Sequence, residues 1–393
     1  MKKDENLVQP MVDVVKQAWR HRPELKLFGK LIWQDQTIPA AILDTIDALR
    51  LETKDGLKPV LVKAINTDYG AKLIFNLPPS ISRKEIESKL HHFEEQSNGQ
   101  IFLHNKGKTL IMEVYTVELP MIVKFEYVES KCHIPVPVGV TAKANVHIVD
   151  LADIPHLLVA GQTGGGKSSF LHVLIAYLLL TQNKRPILPV IIDLKVLEFA
   201  YLSDHCLVLT DKQVAYAFLR GLNKELDRRL RILRDAKCRK ITEYKGNMPF
   251  IVVIIDEVAE ITEKEAQEDL NRLGRLARAA GIHLVAATQR PDASLFKDFA
   301  KTKALLPGRL CFTVADEVNS RIVLGNDAAH KIPKNIPGRA VWKWENETIV
   351  QTMYLNNKEA EELVQTIPVR EDFSAAINEV MSFEQHKTRL LPR

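Results

Sequence analysis

The sequence predicts an α/β fold with a mainly parallel sheet, preceded by a smaller α+β domain. Short apolar strands alternate with helical patterns between about residues 136 and 355, and a glycine-rich run follows one of these strands directly and leads into an apolar helix. A β-α-β-β pattern precedes this region. Strands that are apolar along their whole length are typical of a parallel sheet covered by helices on both faces.

The composition narrows the class of protein. A chain of 393 residues holds two or three domains, and 46% hydrophobic with 26% charged residues is ordinary globular composition, which excludes a largely disordered protein. The net charge of +5 permits a polyanionic partner without requiring one. The four cysteines are far apart and lack the spacing of zinc ligands.

We predict three regions. Residues 1–135 form the α+β domain, residues 136–355 the α/β domain, and residues 356–393 a helix with a polar tail. In the first region, residues 82–96 have helical spacing, with Ser82 and Glu85 as a capping box. The predicted strands span residues 72–77, 100–104, 109–115, 157–160, 189–193, 251–256, 283–288, 309–314 and 338–342.

The run GQTGGGKS, Gly161 to Ser168, lies between an apolar strand and a helix, which is the context of a P-loop rather than of a chance glycine-rich turn. Its glycines let backbone N–H groups converge on phosphates at a helix N-terminus. Lys167 is expected on the β- and γ-phosphates of ATP, and Ser168 on Mg²⁺. The predicted ATP-binding residues are Gly161, Gln162, Thr163, Gly164, Gly165, Gly166, Lys167, Ser168 and Ser169.

Two further strands end in polar side chains. Residues 251–255 are apolar and are followed by Asp256 and Glu257, which we assign to the Mg²⁺ shell and to the attacking water. Residues 283–288 lead to Gln289, which we assign as a sensor of the γ-phosphate. The alternatives are a solvated acidic turn and an exposed strand end. These strand ends and the glycine-rich loop give the predicted catalytic residues Lys167, Asp256, Glu257 and Gln289.

Five runs together resemble the FtsK/SpoIIIE family of DNA-pumping motors, and they are residues 156–169, 190–199, 251–261, 276–291 and 316–325. The resemblance implies a RecA-like ATPase core that assembles as a hexameric ring around double-stranded DNA, with ATP and Mg²⁺ between neighbouring subunits. It also implies that the N-terminal module is similar to the smaller domain that precedes the motor, including that of coupling proteins from Gram-positive conjugative elements.

The resemblance assigns roles to individual residues. Arg278, in the segment RAAG, is the implied finger that reaches the γ-phosphate in the next subunit. Arg321 is a second implied nucleotide or interface contact. For both, the alternative is a surface arginine or one paired within its own chain. Asp193 and Lys195 match the family's Asp-Pro-Lys, although Leu194 replaces the proline and leaves their role open.

The two ends of the sequence bear on where in the cell the protein acts and in which process. No apolar run of the roughly 20 residues needed to span a bilayer is visible, and the stretch after Leu355 is too short for the family's DNA-reading winged helix. We therefore expect a cytoplasmic protein that a partner recruits to the inner face of the membrane. The expected protein partners are a membrane-anchored protein or a relaxase. Conjugative, plasmid or phage DNA transfer fits these expectations.

DNA contact is expected from Lys297, Lys301 and Lys303, which follow the sensor strand. The basic helical run at residues 220–240 is interpreted as a solvated or inter-subunit surface instead. The predicted function is an ATP-driven double-stranded DNA translocase. Two alternatives stay open, namely the ATPase of a type VII-like protein secretion system and a nucleotide-dependent coupling scaffold.

Overall fold

The computed structural model describes residues 37–67, 69–106, 109–181, 186–196, 198–291 and 305–369. Its contacts divide the chain into two units, Met1–Val117 and Glu118–Arg393, so residues 118–135 belong with the second unit. Among the described helices, none combines the length and the apolar character needed to cross a bilayer.

The first unit is a four-stranded antiparallel sheet in the order β1-β2-β4-β3 with helices beside it. Its core includes Ile42, Leu73, Phe75 and Phe93, each at most 1% exposed. The elements are α1 (Thr37–Ala48), β1 (Val60–Thr67), β2 (Gly70–Asn76), α2 (Arg83–Glu87), α3 (Leu90–Ser97), β3 (Gln100–Lys106) and β4 (Thr109–Tyr115).

Two details of this unit differ from the prediction. The helix predicted over residues 82–96 is broken into α2 and α3: Ser82 caps α2 at the Glu85 N–H (3.2 Å), but the Ser88 hydroxyl donates to the Glu85 carbonyl (2.7 Å) where α2 ends. Strand β1 was not predicted, because a bulge between Leu61 and Lys63 removes the alternation of buried and exposed side chains that marks a strand.

The second unit is built on a ten-stranded sheet in the order β10-β9-β11-β12-β8-β13-β14-β15-β6-β7. The first six strands in this order, β10 through β13, pair in parallel. From the pair β13-β14 onward, each strand pairs with its neighbour in the antiparallel sense. The ten strands are β6 (Pro135–Val140), β7 (Val146–Asp150), β8 (His156–Ala160), β9 (Ile187–Ile192), β10 (Leu207–Leu209), β11 (Phe250–Ile255), β12 (Ile282–Thr288), β13 (Gly308–Phe312), β14 (Arg339–Lys343) and β15 (Glu347–Gln351). Two further strands, β5 (Val123–Lys124) and β16 (Met353–Tyr354), pair with each other in a separate parallel sheet.

The helices of this unit cover both faces of the sheet, as the sequence predicted, and the α/β fold class is confirmed. Along β8, Leu157 and Val159 pack with the cluster that contains Phe170, whereas Leu158 and Ala160 pack with the opposite cluster. Burying one such aliphatic side chain contributes about 1.5–3 kcal/mol, so the strand ends that carry polar groups are firmly anchored. The helices are α4 (Lys167–Leu180), α5 (Lys212–Asp235), α6 (Lys264–Leu276), α7 (Glu317–Leu324) and α8 (Asn357–Gln365).

The basic run at residues 220–240 lies mainly on α5, and one of its members corrects the prediction of a surface role. Arg229 is 1% exposed and its Nε binds Glu225 at 2.7 Å. Its Nη1 also donates to the backbone oxygens of Pro249 (2.7 Å) and Ala280 (3.0 Å). This arginine is therefore part of the core and connects α5 to the chain segments just before β11 and β12. The run also has exposed members, among them Lys224, Arg231 and Arg234.

Candidate functional site

The glycine-rich loop lies between β8 and α4, and its neighbours on both sides hold its backbone. The Gly161 N–H donates to the Thr288 oxygen of β12 (3.2 Å), and the Gln162 N–H donates to the Thr313 oxygen just after β13 (3.0 Å). Because β12 and β13 flank β8, the loop emerges from the middle of the sheet. Open parallel sheets bind their ligands at such carboxyl strand ends.

Glycine is required at the last loop position for two reasons. Gly166 has φ +118°, in the left-handed region, and a Cβ there would lie 2.8 Å from the backbone N and Cα of Gly338. The Gly338 N–H also donates to the Gly165 oxygen at 2.8 Å. The turn before β14 therefore packs directly against the start of α4 and leaves no room for a side chain.

Lys167 and Asp256 face each other across the site. Lys167 Nζ lies 2.6 Å from Asp256 Oδ1 and 2.9 Å from the Asp256 backbone oxygen, and both side chains are 3% exposed. The strand order predicts this meeting, since β8 and β11 are separated only by β12 and all three end at the same edge. Ser168 follows Lys167 directly in the first turn of α4, and its hydroxyl and the Asp256 carboxylate both supply hard oxygen donors. That donor set suits Mg²⁺.

Glu257, which follows β11, and Gln289, which follows β12, link the ends of these two neighbouring strands. The Glu257 carboxylate is buried and accepts the Gln289 backbone N–H at 3.1 Å and 3.3 Å on its two oxygens. The side chain of Gln289 accepts the hydroxyl of Thr163 at 3.0 Å. A chain of hydrogen bonds therefore runs from the loop through the end of β12 to the end of β11. The structure brings together Thr163, Lys167, Asp256, Glu257 and Gln289.

Two predicted residues beside the loop have other partners. The Ser169 hydroxyl accepts the backbone N–H of Leu355 (2.9 Å) and so joins α4 to the chain after β16. Asp193 is 1% exposed, and its carboxylate accepts four backbone N–H groups of the turn that follows β9. A carboxylate engaged in this way organises the turn. Lys195 from that turn reaches Glu257 at 3.2 Å, a contact that the sequence motif did not define.

Arg278 lies at the opposite edge of the sheet. It is exposed on the short 3-10 helix Ala277–Ala280, which precedes β12, whereas the glycine-rich loop meets the far end of that strand. The seven residues of β12 span about 20 Å at roughly 3.3 Å each, far more than one arginine side chain. Arg278 is thus not joined to the P-loop of its own chain.

Two buried histidines lie near this edge. His156 Nδ1 accepts the Leu284 N–H, and His283 Nδ1 donates to the Pro155 oxygen, both at 2.9 Å. Burial, reinforced by the neighbouring imidazole, lowers the pKa of His156 to about 3, and burial lowers the pKa of His283 to about 4. Both rings are therefore neutral at physiological pH, which avoids a buried charge.

The remaining predicted residues lie apart from the site or outside the described ranges. Arg321, on α7, is paired with Glu317 of the same helix at 2.5 Å and its side chain is 65% exposed. The pairing matches the alternative of an intrachain contact, and its nucleotide role stays a prediction. Lys297, Lys301 and Lys303 lie outside the described residues.

The family comparison identifies the region that carries these residues. The model of the FtsK/SpoIIIE family matches residues 121–249 and 243–293, which include the glycine-rich loop, Asp256, Glu257, Arg278 and Gln289.

Relatives called DNA translocase FtsK match this chain over different lengths. The protein of Campylobacter jejuni is 35% identical over 228 residues, which cover 54% of this chain and 24% of its own. The protein of Lactiplantibacillus plantarum is 28% identical over 397 residues, covering 91% of this chain and 49% of its own, and that of Haemophilus influenzae is 31% identical, covering 72% and 58%. The chain thus spans between a quarter and somewhat over half of these relatives.

Solved structures agree on the fold. The pCW3 conjugation coupling protein TcpA, determined with ATPgS, superimposes with a TM-score of 0.57 at 24% identity, covering 83% of this chain and 98% of its own. The type VII secretion ATPase EccC of Thermomonospora curvata gives a TM-score of 0.51 at 22% identity, covering 67% and 33%. The matched family model and the shared architecture confirm the resemblance seen in the motifs: this chain carries a domain of the FtsK/SpoIIIE family with a RecA-like P-loop ATPase fold.

Proposed function

We propose that this chain binds ATP with Mg²⁺, hydrolyses it, and uses the hydrolysis to move along double-stranded DNA. The observation that carries the proposal is the convergence of Lys167, Asp256, Glu257 and Gln289 at adjoining strand ends. A cation for phosphate, a carboxylate for a metal, a second carboxylate for water and a polar sensor are the parts that phosphoryl transfer to water requires.

The roles follow from the contacts. Backbone N–H groups of the glycine-rich loop bind the phosphates, and Lys167 exchanges its Asp256 contact for phosphate oxygens. Ser168 and Asp256 would hold Mg²⁺, which would neutralise charge on the phosphates. Glu257 orients the attacking water and accepts its proton as the bond to the γ-phosphorus forms and the β–γ bridging bond breaks.

The arginine finger completes the site from a neighbour. Since Arg278 lies about 20 Å along β12 from its own loop, it serves a nucleotide only in a second copy of the chain. A heterologous contact that repeats around a closed ring meets this need, and we propose the hexamer as that ring. Arg278 would then stabilise charge on the transferring phosphoryl group.

Double-stranded DNA is the proposed substrate because relatives that match much of the chain in sequence are called DNA translocases. Lys297, Lys301 and Lys303 are the proposed contacts. Conjugative transfer is the proposed setting, from the fold likeness to a conjugation coupling protein, with recruitment to the membrane by an anchored partner. The fold likeness to EccC makes protein export the second candidate.

The test compares ATPase rates of the full chain with and without linear double-stranded DNA. Strong stimulation, together with ATP-dependent displacement of a triplex-forming oligonucleotide, supports the translocase. An ATPase rate that DNA does not change but a secreted protein increases supports a protein-export ATPase. The absence of ATP hydrolysis under both conditions supports a nucleotide-dependent coupling scaffold. Lys167→Ala is expected to abolish turnover. Lys358→Ala removes a lysine that is 85% exposed on α8 and serves as the matched control.

A further inference from the structure

The turn after β9 is built around one buried carboxylate. Asp193 Oδ1 accepts the backbone N–H groups of Lys195 (3.2 Å) and Val196 (3.0 Å), and Oδ2 accepts those of Glu198 (3.2 Å) and Phe199 (3.4 Å). Four bonds to a side chain that is 1% exposed fix the path of the backbone. The turn is therefore a defined structure rather than a loose connection.

The same turn contains a strained residue. Val196 has φ +66°, a left-handed conformation that a β-branched side chain rarely adopts, and it is 55% exposed. Such a conformation costs about 1–3 kcal/mol and persists only where surrounding bonds over-determine it. Here the bonds to Asp193 do so. The result is that Lys195, the preceding residue, has its side chain directed at Glu257.

Glu257 is thereby held from two sides. Lys195 Nζ lies 3.2 Å from Oε2, on the β9 side, and the Gln289 backbone N–H contacts both carboxylate oxygens from the β12 side. Glu257 is 7% exposed, whereas the Lys195 side chain is 37% exposed. A carboxylate bound only to one backbone N–H keeps freedom to rotate, and the ammonium group removes that freedom.

We propose that Lys195 is a positioning residue that orients Glu257 for the activation of water. This inference rests on the proposed hydrolysis and adds a residue to it. Among the described residues, the ammonium group of Lys195 pairs with Glu257 and not with the glycine-rich loop. Its loss is therefore expected to affect the chemical step and to leave ATP affinity unchanged.

The experiment replaces Lys195 by Met, which keeps the length of the side chain and removes its charge, and by Arg, which keeps the charge. Removal of a general base costs about 10²–10⁴ in rate, so a misdirected base is expected to cost about tenfold to a hundredfold in kcat. The dissociation constant of a fluorescent ATP analogue should change less than about twofold. Lys195→Arg should recover most of the lost rate.

Lys212→Met is the matched control, since Lys212 forms a comparable 3.1 Å ion pair with Glu260 but its side chain is 46% exposed and lies outside the site. It should leave kcat unchanged. An unchanged kcat in Lys195→Met would overturn the inference. So would a loss of kcat that is matched by a loss of ATP affinity and is not rescued by arginine, because that pattern marks a phosphate ligand or a folding defect.

A readout without turnover separates this inference from the proposed function. In hydrogen exchange, the Gln289 amide should exchange faster in Lys195→Met than in the parent chain, because the carboxylate that accepts it is less restrained. Equal exchange would reject the positioning role. If the parent chain hydrolysed no ATP while exchange responded to Lys195→Met, hydrolysis would be rejected and the orienting contact would stand.

Discussion

Arg229 and Glu225 form an ion pair at 2.7 Å in which each side chain is only 1% exposed, and the same arginine holds the backbone oxygen of Ala280. Although burial raises the pKa of Glu225, hydrogen bonds from Arg228 and Arg229 outweigh it and hold that pKa below its usual value. Ala280 ends the 3-10 helix that carries Arg278. The pair therefore connects the packing of α5 to the position of the proposed finger.

Arg229→Met should lower the free energy of unfolding by about 3 kcal/mol, because it leaves carbonyl oxygens and part of a buried carboxylate without their donor. Denaturant unfolding of the full chain measures this change. Arg231→Met, on the exposed face of the same helix, should change stability by less than about 0.5 kcal/mol. Similar stabilities for the two variants would contradict a structural role for the buried pair.

Arg278→Ala should lose ATPase activity while ATP binding stays largely intact, because the proposed finger would act on the nucleotide of a neighbouring copy. Mixing Arg278→Ala with Lys167→Ala subunits should restore part of the activity, since about a quarter of the subunit contacts in a randomly mixed ring of the proposed kind would contain both intact groups. Each variant alone provides the baseline. Normal turnover in Arg278→Ala would reject the finger, and a mixture as inactive as its components would argue against a site shared between copies.

Acidification should destabilise the second unit through His156 and His283. Their pKa values in the folded state, about 3 and about 4, lie below the value near 6.5 of an unfolded chain, so the unfolded state binds more protons between these limits. The stability that neutral rings contribute is present above about pH 6.5 and is lost as the pH falls toward 4. Melting temperatures from about pH 7 to about pH 5 report this loss.

The double variant His156→Asn and His283→Asn should show a weaker dependence of melting temperature on pH across that interval. His330→Asn changes an exposed histidine and should retain the dependence of the parent chain. Equal slopes in all three proteins would mean that other groups determine the acid sensitivity.

Gly166→Ala should damage the site more than Gly164→Ala. Both glycines have positive φ, which costs alanine about 1–2 kcal/mol, but only the Cβ at Gly166 meets backbone, at 2.8 Å from Gly338. Nothing lies within 4 Å of a Cβ at Gly164. We expect a larger fall in melting temperature and in ATP affinity for Gly166→Ala. A comparable effect of the two changes would show that conformational strain alone sets the requirement.

Much of the site could be predicted because it depends on short motifs at strand ends. A buried apolar strand followed by a charged group places that group at the carboxyl edge of a parallel sheet, and the contact between Lys167 and Asp256 follows from this rule. All six strands predicted for the α/β domain are present, with ends that differ by one or two residues.

Other features depend on contacts between distant segments. The antiparallel strands β7 and β15 are half-buried and short, so they lack both the continuous apolar character of the central strands and a clear alternation. The contact of Lys195 with Glu257 accompanies the left-handed backbone conformation of Val196, which no local sequence pattern predicts. The burial of Arg229 reverses what an arginine in a basic run usually indicates.

The hydrogen bond from Gly338 to Gly165 joins two stretches that are synthesised far apart in time. A nascent chain that has emerged only as far as β13 already contains every residue of the phosphate-binding loop, yet lacks the backbone against which that loop is fitted. Because domains fold as their last contributing segment leaves the ribosome, nucleotide affinity should arise late in translation. Ribosome-bound chains stalled before β14 should therefore not bind ATP. Chains long enough to expose β14 and β15 should bind it.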